Sequence, residues 1–206
     1  MKTIILLRGI FLPLIFIFLA CTGCEEEKDP HPWELKLGED QNTIDNTLRD
    51  LEFKFFLKDE KNKPGKIFEQ GENFYFHFSV KNISNRDIII NIPIVNVDFF
   101  HVYENTEDGM VDMGTPIQGV WCEYRLRLVE VIELKPGNDI IIKNPWILDS
   151  TDRITDYYPF CSKHNNPPLL KGKYYTRFPV KISYSTKGSN QADTLKLTFK
   201  INFQIQ

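Results

Sequence analysis

From Leu51 onward the chain alternates. Leu51, Phe53, Phe55 and Leu57 fall on one side of an extended segment, with Glu52, Lys54 and Lys58 largely opposing them. Phe74, Phe76, Phe78 and Val80 repeat the pattern against Tyr75, His77, Ser79 and Lys81. Ile88, Ile90, Ile92 and Ile94 share a face that Pro93 brings to an edge or an end. Val97 to Tyr103, Val120 to Leu134 and the run from Ile140 to Trp146 are further β-rich stretches. Tyr174, Thr176, Phe178, Val180, Ile182 and Tyr184 form another face. Last, Leu195, Leu197, Phe199, Ile201, Phe203 and Ile205 alternate without a fault against Lys196, Thr198, Lys200, Asn202, Gln204 and Gln206. A period of two is what a half-buried strand imposes, because successive side chains leave opposite faces of the sheet.

Polar turns such as NISNRD and LKPGND separate these runs at short intervals. The pattern predicts an all-β chain: an immunoglobulin-like antiparallel β-sandwich of about eight strands, with a closed barrel as the alternative. A last run so regular has to pair within a sheet, since an open edge of that kind invites aggregation. His77 falls on the face opposite the phenylalanines and reads as a solvent-facing strand residue.

The first fifty residues follow other rules. Lys2 and Arg8 precede a greasy stretch, Gly9 to Ala20, after which small residues appear. This is the order of a secretory signal, and the stretch is short for a membrane-spanning helix. Residues 25 to about 50 are acidic, polar and broken by Pro30 and Pro32, as in a tether. Ile44, Leu48 and Leu51 have helical spacing, which allows a short helix near Asp40 to Asp50. The division is a signal peptide over 1–23, a polar acidic tether over 24–50 and a sandwich domain over 51–206.

The end of the leader, LACTGCEEEKD, resembles the bacterial lipoprotein signal, in which a small residue precedes a cysteine that is acylated and becomes the new N-terminus. Thr22-Gly23 before Cys24 fits that pattern; Cys21, preceded by Leu19-Ala20, is the alternative attachment point. The resemblance implies a bacterial envelope protein held to a membrane through N-terminal acyl chains. The acidic run after Cys24 resembles the export tag of some outer-membrane lipoproteins, which makes the outer membrane, on its periplasmic or surface face, the expected address, with a solvated spacer as the other reading of that run. Several turns resemble those of the bacterial intracellular proteinase inhibitor (BsuPI-like) domain. GENFYFHFSVKNISNRDIII matches its strand ending in Val-x-Asn, LKPGNDIIIKNPW its Leu-x-Pro-Gly turn followed by a Trp, and LLKGKYYTRF its Gly-x-Tyr turn. That likeness spans residues 68 to 184 and implies a β-sandwich. It brings no matched reactive loop with it.

Charge and cysteines narrow the picture. The formal net charge is -3, and cleavage after Gly23 removes Lys2 and Arg8 to leave -5. With no basic tract along the sequence, nucleic acid is not expected as a partner, nor is attraction to anionic lipid beyond the acyl chains. Outside the leader the cysteines are Cys122 and Cys161. An exported pair of this kind suggests a disulfide, which would close a loop of about 40 residues and contribute roughly 4 kcal/mol in the chain-entropy picture. Two buried thiols are the other reading.

Candidate chemistry is sparse. HExxH, GxSxG, P-loop and GxGxxG patterns are missing. His31, His77, His101 and His164 are scattered, and neither metal nor cofactor is expected. Cys161 and His164 are close in sequence but lack an orienting third group. Two long loops draw attention. Residues 104–119 carry Glu104, Glu107, Asp108 and Asp112 without the spacing of a calcium loop. Residues 148–171, next to Trp146, carry Tyr157, Tyr158 and Phe160, which either receive a protein or glycan ligand or cap the open end of the sandwich. The expected function is a non-catalytic, lipid-anchored binding or assembly module of the cell envelope. A proteinase inhibitor is the alternative, and a hydrolase drawing on acids such as Asp98, Glu104 or Asp152 is a third reading.

Overall fold

In the computed structural model, which describes residues 33–36, 38, 40–92, 99–116, 130–148 and 166–206, the alternating runs become strands of two sheets. In chain order the strands are β1 (Trp33–Lys36), β2 (Ile44–Leu48), β3 (Leu51–Lys58), β4 (Ile67–Phe68), β5 (Tyr75–Asn82) and β6 (Ile88–Ile92). They continue with β7 (His101–Thr106), β8 (Gly109–Gly114), β9 (Glu130–Leu134), β10 (Asp139–Pro145), β11 (Gly172–Thr186) and β12 (Asp193–Ile205). The smaller sheet has the order β10-β5-β3-β2; the larger runs β1-β12-β11-β6-β9, with β4 also on β12 and the β7/β8 hairpin on β11. Only β1 and β4 pair in parallel, both with β12; every other described pairing is antiparallel. This is the expected β-sandwich of immunoglobulin-like type.

The core is where the period of two places it. Leu51, Phe53, Phe55 and Leu57 of β3 are fully buried, as are Phe76, Phe78 and Val80 of β5. They face Phe178 and Ile182 of β11 and Leu197, Phe199 and Ile201 of β12. Phe55 meets Phe178 edge-on at 4.9 Å, and Phe78 meets Phe199 at 5.1 Å. Such pairs add about 0.5–1.5 kcal/mol each beyond the area they bury. Phe100 shows which effect wins locally. It holds a left-handed φ of 61°, at a cost of about 1–3 kcal/mol, yet its buried ring packs on Phe55, Phe76 and Phe178. Losing a core phenylalanine costs about 3–5 kcal/mol, so packing outweighs the strain.

Two of the turns that looked familiar in sequence are one physical unit. Asn82, at the end of β5, is fully buried. Its Nδ2 donates to the carbonyls of Arg86 (2.7 Å) and Leu134 (2.8 Å), and its Oδ1 accepts from the Ser84 amide and hydroxyl. Its own backbone bonds Asn138 and Gly137 in the turn between β9 and β10. Gly137 sits at φ 79°, which only glycine adopts freely. The NISN and KPGN turns thus hold each other, and through them β9 of one sheet is tied to β5 and β10 of the other.

Several expectations are corrected. The polar stretch 24–50 is not a tether throughout: Trp33–Lys36 pairs with β12, and Ile44–Leu48 pairs with β3 in place of the short helix. Ile44 is buried and Leu48 half-buried, so both face the core from an extended backbone. Residues Pro32–Gln206 form one compact unit. Instead of about eight strands there are twelve among the described residues, the additions being the short edge elements β1, β2, β4 and β8. The final strand is paired on both sides, by β11 along its length and by β1 and β4 opposite.

Candidate functional site

Most residues singled out from sequence lie outside the described residues: Cys21, Cys24, Cys122, Cys161, Tyr157, Tyr158, Phe160, Asp98, Asp152, His31 and His164. Trp146, named beside the possible binding loop, is described. It is 2% exposed, stacked on Phe74, with its Nε1 donating to the Pro167 carbonyl. It closes the end of the core. The acidic stretch 104–119 is largely no loop, since β7 and β8 form a hairpin over it. The hairpin separates its acids. Glu104 lies beside the buried Tyr174, whose phenol is pushed up to about 12 by burial and then by that carboxylate. Asp112 pairs across the strands with Tyr103 and bonds His101. That bond, with help from the Gly114 amide, holds its carboxyl below the usual range.

The two long segments meet. Asn166 Nδ2 donates to the Thr115 carbonyl (2.9 Å) and the Trp146 carbonyl (3.2 Å), which binds the end of the hairpin to the end of β10. These contacts are amide to carbonyl.

His77 was expected in solvent. It is half-buried and stacked on Phe56 at 4.4 Å, and its Nδ1 has no hydrogen-bond partner. Burial, then Lys143 and Lys58, lower its pKa to about 4.

The feature that the sequence reading passed over is the outer face of the larger sheet. Strand periodicity sends every second residue of β11 outward. Lys173, Arg177 and Lys181 take alternate places in that set, and all three are exposed. On β12 Lys196 and Lys200 take alternate outward places too and are half-buried. The register puts Arg177 directly opposite Lys200 and Lys181 directly opposite Lys196. Like charges in directly opposite positions are destabilising. From Lys173 to Lys181 the strip is about 26 Å long, at roughly 3.3 Å per residue. Two acids border it: Glu34, beside Lys36 and 3.9 Å from Arg177, offsets part of the charge at one place, and Asp112 holds His101. A chain of net charge -3 therefore carries a cationic ribbon on one face. Its sequence signal is Lys, Arg, Lys at intervals of four in KYYTRFPVK and again in KLTFK. That interval is diffuse along the chain but lies on one face of a strand.

Beside the ribbon stands an aromatic row. His101 stacks on Tyr103 at 4.6 Å, Tyr103 on Tyr175 at 4.9 Å, and Lys200 lies over Tyr175 at 4.3 Å. The rings fill one another's faces, so the row is a fixed rim. At one end the ribbon runs into a shallow depression of about 430 Å³ lined by Lys66, Ile67, Asn105, Lys173, Asn202 and Gln204. Ile67 pairs with Gln204 and is 60% exposed, so it stands as a ridge. A second depression of about 300 Å³ shares Lys66 and Ile67 and adds Asn42, Lys63 and an acid, Asp59. Among the described residues no cluster of histidine, cysteine and acidic side chains could hold a metal ion.

No family model matches the chain, and no curated protein matches it. Among solved structures it is similar to the PapD-like domain 7 of human CEP192, at 10% identity and a TM-score of 0.34, over 76% of this chain and 87% of that one. It is also similar to AggA, the major subunit of aggregative adherence fimbriae type I of Escherichia coli, at 9% identity and a TM-score of 0.40, over 78% and 99% of the two chains. A β-glucosidase of Listeria innocua matches over 72% of this chain but 16% of its own, at 15% identity and a TM-score of 0.25. These are likenesses of fold and assign no ligand.

Proposed function

We propose that this chain is a lipid-anchored binding module of the bacterial cell envelope, held by acyl chains on Cys24, that engages its ligand through the outer face of the larger sheet. The observation that supports this most strongly is the cationic ribbon. At two places like charges stand directly opposite each other across β11 and β12, and an anionic partner lying along them is attracted by both strands. The ribbon is held on two long strands paired with each other throughout, so it is pre-shaped, and little ordering has to occur on binding. The leader supplies the anchor and the export route. The turns shared with proteinase-inhibitor domains do structural work in holding the two sheets, and inhibition has no matched loop behind it.

A photo-crosslinking residue placed at Arg177 in living cells, with another at Lys143 on the smaller sheet as control, tests the reading. Adducts of discrete mass at position 177 and not at 143 are expected. No adduct at 177, or equal labelling at both positions, overturns the assignment of this face. The anchor is tested separately. Cys24→Ser should abolish incorporation of an alkyne-palmitate label and move the protein from the membrane pellet to the soluble fraction; unchanged labelling removes Cys24 as the attachment point.

A further inference from the structure

We infer that the ligand of this face is a linear acidic oligosaccharide, seated at one end in the depression beside Ile67 and running along β11 and β12. The inference rests on the reading of that face as a binding surface and names the chemistry it recognises. Three features of the face select it.

The first is shape. The cations occupy two adjacent strands about 5 Å apart, over a length of about 26 Å. Charge arranged as a ribbon matches a single extended chain. A membrane surface would press on the whole face evenly and could not enter the depression. The two like-charge pairs, Arg177 with Lys200 and Lys181 with Lys196, are four residues apart on each strand, or about 13 Å. A polymer with carboxylates at regular intervals places a negative charge at each pair.

The second is the lining of the depression. Asn105, Asn202 and Gln204 contribute carboxamides. A carboxamide donates and accepts at once, and so does a hydroxyl. Phosphates and carboxylates at neutral pH only accept, so they use the donor half of each amide and leave its oxygen to water. Carboxamides beside Lys173 fit a ligand that carries many hydroxyls and some negative charge.

The third is the wall. Ile67, 60% exposed on the ridge between the two depressions, offers an apolar surface to the C–H face of a sugar ring. Tyr103 and Tyr175 cannot stack on the ligand, since their faces are filled. Tyr175 lies within the ribbon, between Lys173 and Arg177 and under Lys200, and Tyr103 borders it on the side of the hairpin. An extended sugar chain crossing Ile67 would reach both depressions.

Single exposed ion pairs contribute little, so affinity has to come from several contacts made together. The test is titration calorimetry on the full-length chain in non-ionic detergent, with tetragalacturonate as the probe. Maltotetraose, tripolyphosphate and phosphatidylglycerol vesicles serve as comparators. Tetragalacturonate should bind, with maltotetraose at least tenfold weaker. Arg177→Gln with Lys181→Gln should weaken tetragalacturonate about tenfold, and Asn202→Ala about threefold. Lys143→Gln should change nothing. All these substitutions are on exposed or half-exposed positions, and thermal melts no lower than the parent's confirm that the variants fold. The inference is overturned if tetragalacturonate does not bind, if maltotetraose binds as well, or if the Arg177/Lys181 variant binds unchanged. Tighter binding of tripolyphosphate, or of the vesicles, also overturns it and gives the face to phosphate or to a membrane. Crosslinks at position 177 in cells without tetragalacturonate binding would sink the sugar and keep the face; the absence of both would sink the two together.

Discussion

Asn82 shows how much a single side chain carries here. It satisfies two carbonyls and two donors from a fully buried position. Asn82→Ala strands the Leu134 carbonyl and frees the turn after β5. At about 1 kcal/mol per net hydrogen bond, plus the penalty for a stranded buried group, the loss should be about 2–4 kcal/mol. Urea unfolding gives this directly, and a loss below about 1 kcal/mol would mean that the turns do not hold each other. Asn82→Asp should not rescue, because a carboxylate cannot donate to the carbonyls of Arg86 and Leu134. His77 makes a different prediction. Its pKa is about 4 in the folded chain, lowered by burial and then by Lys143 and Lys58, against an ordinary 6.5. Between those values the unfolded chain binds a proton that the folded chain refuses. Stability conferred by the neutral ring is therefore complete above about pH 6.5 and is lost as the pH falls toward 4. His77→Phe keeps the stack on Phe56 and removes the titration. Its unfolding free energy should fall less than that of the parent between about pH 7 and pH 4.5. Equal falls would show that His77 is not the group responsible.

Whole strands show why part of the fold was legible in sequence and part was not. β3, β5, β11 and β12 bury one face and wet the other, so their alternation is written in residue types. β1 and β4 are four and two residues long, too short to leave a pattern; they exist because β12 offers an unpaired edge, which is a tertiary fact. The β7/β8 hairpin was hidden for a related reason. Its residues beyond Val102 are half-buried or exposed, so a sheet edge read as an acidic loop. The binding face was missed because its signal is a spacing of four on a strand, which no compact motif describes. That spacing also sets stability against function. Lys181 and Lys196 repel across the strands, so Lys181→Glu should stabilise the fold by about 0.5 kcal/mol, raising the melting temperature by about 1–2 °C. The same change should weaken tetragalacturonate binding. A variant that loses binding without gaining stability would mean that the opposed lysines cost the fold nothing.

At the scale of the whole molecule, a net negative protein is asked to hold a polyanion. Whether the acids on the far side matter is decided by distance and salt. The two sheets lie about 10 Å apart, and side chains on their outer faces are farther apart still. The screening length is about 8 Å at physiological ionic strength and about 30 Å at 0.01 M. In the cell, then, the ribbon acts as a local positive surface and the opposite sheet is invisible to the ligand; in dilute buffer the net charge is felt. Asp45 and Glu52, which flank Lys54 on the outer face of the smaller sheet, make this measurable. Both are partly exposed, so their neutralisation costs little stability. Asp45→Asn with Glu52→Gln should leave tetragalacturonate affinity unchanged at about 0.15 M salt and raise it severalfold at about 0.01 M, where the screening length exceeds the thickness of the sandwich. The parent should bind more tightly as salt falls from about 0.3 M and then level off toward 0.01 M, as the far-side acids begin to oppose the ribbon. A continuous rise down to the lowest salt, identical in parent and double variant, would show that the ligand senses only the ribbon and that the net charge of the chain plays no part in recognition.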